Sequence, residues 1–556
     1  MDEGMNTYYQ KRYELEKYGN PNLLRTNSNS FINKRVPTNM ELLLEQSMNG
    51  INKGQPIDTL ADAYTQMNYF LSVYSKGSRW MELLEKDLGT ELFDKCMKQY
   101  YTKWQFKHPY PEDFKISIQE TSNRNIDVRF QQLYNTKSLT STNDNKKTKL
   151  VSFFSLKETD KYNYLFIAPV VGYNNYDKPM LGAVLHNYQL PLPRFQFFVA
   201  PLFATGSKQF NYSGRVSYNT YKKNSWLEVS ASALKFTMDE FKPQNADKIY
   251  QAVTRFVPSI KYTVYNKDLR KTQRWIFQAR SFLLNENGLE FKTVVTPTGS
   301  IDMVNKTSIN STINQIKITT TDNRVLYPYQ LNLTIDQGKN FVRTGLTGDY
   351  FFNYGDKKGG IDARLFAGKF FYTSSKTFIK QFETDRYHLN MSGAKGYEDY
   401  TYSNYFVGRN EFEGAQSQQI MQRDGFFKVS TDLLSNKIGK TDDWLLAMNF
   451  SGTIPDKINI LNVLPIKIPL KFFVDIGTYA EAWKDNPATG RFLYDAGLQI
   501  SLLNSLVNIY VPILYSKVYG DYFKSTLGQK RFMKTISFSI DIQKLQINKL
   551  NRDIPL

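Results

Sequence analysis

Near residue 140 the spacing of apolar residues changes from the helical period of about 3.6 to the strand period of 2, so no single repeating architecture can hold the whole chain. Before the change, Met5, Tyr8, Tyr9 and Tyr13 lie at helical spacing over residues 1–18, and Gly19-Asn20-Pro21 stops the run. Residues 22–57 are polar and irregular, apart from a short helical piece near 39–48. Tyr64, Met67, Phe70, Leu71 and Tyr74 mark the apolar face of a helix over 60–74. Met81, Leu84, Leu88, Leu92, Met97, Tyr100 and Trp104 continue the helical period over 78–104, with Gly89 as a break between two helices. Pro109 and Pro111 end that pattern, and Glu112 and Asp113 fall in the first turn of a new helix, where acidic groups are favoured. The helices fade by about residue 135. Residues 136–149 carry no apolar side chain except Leu139 and read as a linker.

Beyond the linker, Phe195, Phe197 and Val199 alternate along a strand, as do the stretches beginning at Trp226, Trp275 and Tyr329. Near the C-terminus Ile536, Phe538, Ile540 and Ile542 alternate with Ser537, Ser539 and Asp541. Asp356-Lys-Lys-Gly-Gly, Asn486-Pro and Asn285-Glu-Asn-Gly read as turns between strands. The pattern predicts roughly 12 to 16 antiparallel strands, many about ten residues long. The predicted class is therefore α + β: a helical segment over 1–135, a linker over 136–160 and a large antiparallel β domain over 161–556. Long, aromatic-rich strands with a period of 2 point to an outer-membrane-type barrel, whereas sandwich strands are usually shorter. A soluble β-sandwich that binds a partner, or a non-enzymatic barrel with a helical plug or docking segment, is the alternative.

Composition limits the function classes. With 41% hydrophobic and 15% aromatic residues the chain is not disordered. Residues 1–150 carry 21 Lys+Arg against 18 Asp+Glu, so nearly all of the +19 formal charge lies in the β region. No long Lys/Arg run or nucleic-acid motif accompanies that charge, and contact with anionic lipid or lipopolysaccharide fits it at least as well as nucleic acid does. The one cysteine, Cys96, excludes an intrachain disulfide and reads as a buried helical thiol beside Phe93, Met97 and Tyr100. No signal peptide opens the chain and no run approaches the length of a membrane-spanning helix. The abrupt start inside a helical pattern looks like the tail of something longer. The three histidines, His108, His186 and His388, are not paired at i, i+4. There is no G-x-S-x-G, Walker loop or G-x-G-x-x-G. The chain by itself is expected to lack the groups for catalysis.

Three strings add a resemblance. They are Met1-Asp-Glu-Gly-Met-Asn-Thr-Tyr-Tyr-Gln; Val73-Tyr-Ser-Lys-Gly-Ser-Arg-Trp-Met-Glu-Leu-Leu followed by Glu-Lys-Asp-Leu-Gly; and Tyr100-Tyr-Thr-Lys-Trp-Gln-Phe-Lys-His-Pro-Tyr-Pro-Glu-Asp-Phe. In this order and spacing they resemble the second half of the catalytic domain of aminopeptidase N-type zinc metallopeptidases, the gluzincins, over residues 1 to about 130. The resemblance implies that Glu3 is the third zinc ligand and that Tyr74 donates a hydrogen bond to the oxyanion of the tetrahedral intermediate. It implies zinc as cofactor and a peptide as substrate in the intact parent. The H-E-x-x-H helix that would supply two histidines and the general base is absent from this sequence, so zinc would not be held by this chain alone. Downstream, Phe166-Ile-Ala-Pro-Val-Val-Gly-Tyr-Asn-Asn-Tyr-Asp-Lys-Pro-Met-Leu-Gly and His186-Asn-Tyr-Gln-Leu-Pro resemble the β-rich C-terminal extensions of such peptidases in Bacteroidetes-type bacteria. There His186 would open a turn after a strand, in a structural role. The expected location is the outer membrane, with the helical part in the periplasm.

Overall fold

The structure, a computed structural model, describes residues 2–19, 34–37, 39–139, 145–243, 247–296, 299–355, 359–374, 386–431, 438–455, 457–463, 468–503, 505–527 and 531–542. Asn20-Pro21 and residues 356–358 of the expected turn over 356–360 lie outside the described residues.

The helical part contains α1 (Asp2–Tyr18), α2 (Met40–Gly50), α3 (Gln66–Asn68), a π-helix (Tyr69–Lys76), α4 (Gly77–Leu88), α5 (Thr90–Trp104), α6 (Pro111–Ser122) and α7 (Asp127–Gln131). Its core joins Tyr8 of α1 to Trp80, Leu84, Phe93, Cys96, Phe114 and Phe130. Gly89 breaks the chain between α4 and α5 with φ +83 while its N–H still bonds Glu85 O at 2.7 Å, a positive-φ conformation that glycine adopts without strain. The Asp113 carboxylate accepts from Tyr110 N at 2.8 Å and caps α6, with Pro111 in its first turn. Two expectations need correction. Tyr9 and Tyr13 are exposed, because α1 buries only the side that carries Gly4 and Tyr8. The helix expected over 60–74 is a short 3₁₀ turn, α3 and the π-helix. Phe70 is exposed while Leu71 is buried, so the two do not share one buried face.

The β part begins with β1 (Lys147–Ser152), β2 (Tyr162–Asn174), β3 (Lys178–His186), β4 (Phe195–Ala204), β5 (Phe210–Lys222), β6 (Ser225–Phe241) and β7 (Ile249–Tyr265). It continues through β8 (Gln273–Thr296), β9 (Gly299–Asp322), β10 (Tyr329–Gln337), β11 (Phe341–Asn353) and β12 (Gly360–Tyr372). After a long insertion that contains the small pair β13 (Leu389–Asn390) and β14 (Lys440–Thr441) come β15 (Trp444–Thr453), β16 (Leu470–Tyr479), β17 (Leu493–Leu502), β18 (Val507–Tyr515) and β19 (Ser537–Ile540). Among the described residues one sheet holds 17 strands, above the expected range of 12 to 16. From β2 onward each strand runs antiparallel to its predecessor in that sheet, and β1 adds to β2 in parallel. Thus Lys147–Ser152, inside the expected linker, is a strand. Asn285-Glu-Asn-Gly288 is not a turn but the middle of β8. Gly288 pairs with Thr307, and the Asn285 amide bonds Ser308 Oγ at 2.6 Å and Asn310 Oδ1 at 2.7 Å, so cross-strand pairing overrides the local turn chemistry.

The two faces of the strands decide the architecture. On β8, Trp275, Phe277 and Leu283 are exposed while Arg274, Gln278 and Arg280 alternate on the other face. On β6, Leu227 and Val229 face out and Glu228 is buried. On β19, Ser537 and Ser539 are the buried positions. A soluble sandwich places its apolar face inside. This sheet does the reverse, the arrangement of a barrel with a polar lumen and an apolar outer band.

The lumen is filled by the insertion between β12 and β15. Arg343 of β11 pairs with Asp424, and Arg364 of β12 donates to Asp424 O at 2.8 Å. Lys428 reaches Asp475 of β16 at 2.8 Å, and its backbone N–H bonds Asp495 of β17 at 2.9 Å. Ser537 of β19 donates to Lys428 O at 2.6 Å, Arg255 of β7 reaches the Tyr402 carbonyl, and Asn410 N donates to the Tyr176 phenol between β2 and β3 at 2.9 Å. One segment touches walls on all sides only if the sheet curls around it. The lumen plug is therefore this insertion and not the helical part.

Candidate functional site

α1 and α4 cross at two glycines. A Cβ on Gly4 would stand 2.9 Å from Gly77 Cα and 2.9 Å from Val73 O, so only hydrogen at Gly4 lets the backbones approach this closely. The crossing sets the first turn of α1, with Glu3, against the end of the π-helix, with Tyr74. The two residues that the sequence singled out are thereby brought together. Hydrogen bonding to the Glu3 carboxylate is the main cause that holds the Tyr74 phenol above its ordinary pKa. Tyr74 packs edge-on against Tyr69 with ring centroids 5.7 Å apart and stacks on Phe70 at 6.3 Å. Both Glu3 and Tyr74 are half-buried and open to a ligand. A π-turn often carries a functional side chain, since its extra residue re-aims the positions that follow.

Behind Tyr74 lies a charged cluster that sequence reasoning missed. Lys76 is 1% exposed, and its ammonium donates to Asn135 O at 3.1 Å and Lys137 O at 2.8 Å. Glu45 of α2 stands 3.9 Å from Lys76 and also pairs with Arg79. Burial pulls the Lys76 pKa down, and Glu45 opposes it. The cluster ties α2, the π-helix and the end of the helical segment together and so fixes Tyr74 from below. Lys76 and Arg79, at i, i+3 between the apolar positions Leu71 and Leu84, were the only signals available.

The helical segment docks on strand turns of the barrel. Met48, Ile51 and Leu71 pack on Tyr221. Lys53 lies 3.6 Å over the Tyr265 ring and donates to Lys223 O at 3.0 Å, and Asn52 donates to Tyr221 O at 2.7 Å.

The other singled-out residues do not join the site. His108 is exposed, His186 closes β3 and accepts from Tyr188 N at 3.2 Å, and His388 is buried against Glu398 at 2.7 Å. Cys96 is buried in the helical core. No group of three His, Cys, Asp or Glu side chains with metal-binding geometry occurs among the described residues. One carboxylate is too small a donor set for zinc, which takes three protein ligands in a catalytic centre. The described residues therefore do not make a zinc site by themselves.

Residues 1–133 match the Peptidase family M1 domain. The match covers the whole helical part up to the end of α7 and includes Glu3 and Tyr74. A comparison with curated proteins gives no match. Among solved structures the chain is similar to BamA from Haemophilus ducreyi lacking POTRA domains 1-3, with 11% identity over 70% of this chain and 75% of that one and a TM-score of 0.35. It is also similar to CdiB from Acinetobacter baumannii (9% identity, 65% of this chain, 60% of that one, TM-score 0.31) and CdiB from Escherichia coli (10%, 65%, 63%, 0.33). The chain thus spans less than two thirds of either CdiB. These TM-scores are too low to bear on the fold, which stands on strand pairing and on the faces of the strands. No described helix is long and apolar enough to cross a membrane, which says nothing of the strands.

Proposed function

We propose that the M1-like segment is part of a peptide-hydrolysing centre that the β domain anchors at an outer membrane. The approach of Glu3 to Tyr74 across the Gly4–Gly77 crossing carries this reading. In the proposal Tyr74, kept protonated beside Glu3, donates its phenolic hydrogen to the oxyanion that forms when a peptide carbonyl is attacked. Glu3 is the one metal ligand of this segment. The described residues offer neither the remaining zinc ligands nor a general base, so the chain alone is proposed to be inactive. The exposed apolar band supports lipid contact, and the turns on which the helical segment sits are proposed to face the periplasm.

The test is to purify the full chain in detergent with zinc, then measure bound metal and hydrolysis of aminoacyl-4-nitroanilides. The expected result is substoichiometric zinc and no turnover above buffer. Stoichiometric zinc with turnover that Glu3→Gln abolishes would overturn the inactivity while supporting the role of Glu3. Turnover unaffected by both Glu3→Gln and Tyr74→Phe would overturn the site.

A further inference from the structure

Between the plug and the walls formed by β8–β12 and β15–β19, the lumen leaves a cavity of about 900 Å³. Antiparallel order places the β5–β6, β7–β8, β9–β10, β11–β12 and β17–β18 turns at one end, and Asn323, Pro328 and Ser505 from those turns rim the cavity. Asp399, Arg423 and Asp424 of the plug form its floor.

Most charges on its wall are neutralised locally. Asp362 holds Lys471 at 3.0 Å and Asp336 holds Arg343 at 3.2 Å. Arg280 of β8 and Lys317 of β9 differ. Both line the cavity, and neither makes an ion pair with a carboxylate among the described residues. The Arg280 Nε–H donates to Gln315 Oε1 at 2.7 Å, which leaves the outer edge of the guanidinium for another partner. The carboxylates that Arg280 senses are engaged elsewhere. Asp336 already accepts from Gln315 at 2.7 Å and from Tyr400 at 2.6 Å, and Asp399 lies 3.5 Å from Arg409.

The strand register makes the two cations neighbours. Arg280 stands opposite Gln315 and Lys317 opposite Gln278, so they are diagonal partners on one face and repel each other. Two half-buried like charges with no carboxylate paired directly to either are stabilised by a bound anion. A guanidinium edge beside an ammonium matches two oxygens of one carboxylate or phosphate.

We propose that Arg280 and Lys317 bind the oxyanion group of a small solute that enters the barrel from the end carrying the helical segment. The site does not depend on the peptidase reading, because no residue of the helical segment takes part in it.

The experiment is calorimetric titration of the full chain in detergent with inorganic phosphate, with tri-alanine carrying a free C-terminus, and with tri-alanine amide as control. Saturable binding of phosphate or of tri-alanine, but not of the amide, is expected. Arg280→Gln/Lys317→Gln should weaken it about tenfold or more, since charged hydrogen bonds are removed, and Lys317→Arg should retain it. Binding of phosphate alone assigns a phosphate-bearing solute, and binding of tri-alanine alone a carboxylate. If neither binds, or the double variant binds as well as the parent, the proposal fails. Should the double variant not fold, Lys317→Gln alone, at a half-exposed position, gives the same reading.

Discussion

Glu3 and Tyr74 are far apart in the chain, and neither looks functional by itself. An acidic residue in a first helical turn usually serves the helix dipole, and a tyrosine on an apolar face usually serves packing. Their order among the three strings made them legible, and their meeting gives a measurable consequence. Hydrogen bonding to Glu3 is the largest cause that raises the Tyr74 pKa above its ordinary 10.0. The contribution of the pair to stability is therefore complete below about pH 10 and is lost as pH rises through the folded value. Glu3→Gln should move the ionisation of Tyr74 back down toward 10, read at 295 nm as the difference between each background and its Tyr74→Phe partner. An unchanged titration would mean that the two side chains do not touch. Glu45 was not legible, because nothing in the sequence says that Lys76 and Arg79 both turn toward it. Glu45→Ala leaves two buried cations facing each other and should cost about 3–5 kcal/mol. Cys96, the single and buried thiol, reports it. Its labelling should accelerate on the order of a hundredfold or more if opening of the helical core limits access.

At the scale of elements, the helix boundaries followed punctuation that the sequence displays. Gly89 ends α4 with a positive φ and Pro111 opens α6. The π-helix was not legible, since a fixed 3.6 period cannot reveal one inserted residue. The close crossing of α1 and α4 depends on Gly4. Gly4→Ala should push the helices apart, cost about 1–3 kcal/mol by overpacking, and lower the Tyr74 ionisation as Glu3→Gln does. A melting temperature and tyrosine titration equal to the parent's would refute the crossing. The plug depends on Asp424, which Arg343 and Asn390 N both address. Asp424→Ala leaves Arg343 with only Asp336 and should loosen the insertion by roughly 3 kcal/mol. Protease sites within 386–431 should then be cut sooner than those in the strands.

At the scale of the whole molecule, the helical segment docks on β1 and on turns and strand ends of the barrel, and the insertion occupies much of the lumen. Deleting residues 1–135 should leave a barrel that still shows heat-modifiable migration on cold SDS gels and still conducts nothing in planar bilayers. Replacing 386–441 by a short turn should open steady conductance. Conductance from the first deletion but not from the second would assign the plug to the helical segment instead.

The sequence alone settled that the chain has two unlike parts, because hydrophobic period is a local property that changes where the backbone changes from helix to strand. It also settled most helix ends, which glycine, proline and capping carboxylates set within a few residues. It could not say which face of a strand points inward, since alternation reads the same whether the apolar side meets a core or lipid. Tertiary structure decided that by burying Glu228, Arg364 and Asp475 and exposing Leu227, Leu365 and Ile476. It likewise decided that Asn285–Gly288 is strand and that residues 386–431 belong inside the barrel. Those outcomes rest on hydrogen bonds and ion pairs between residues far apart in sequence, which no local pattern carries.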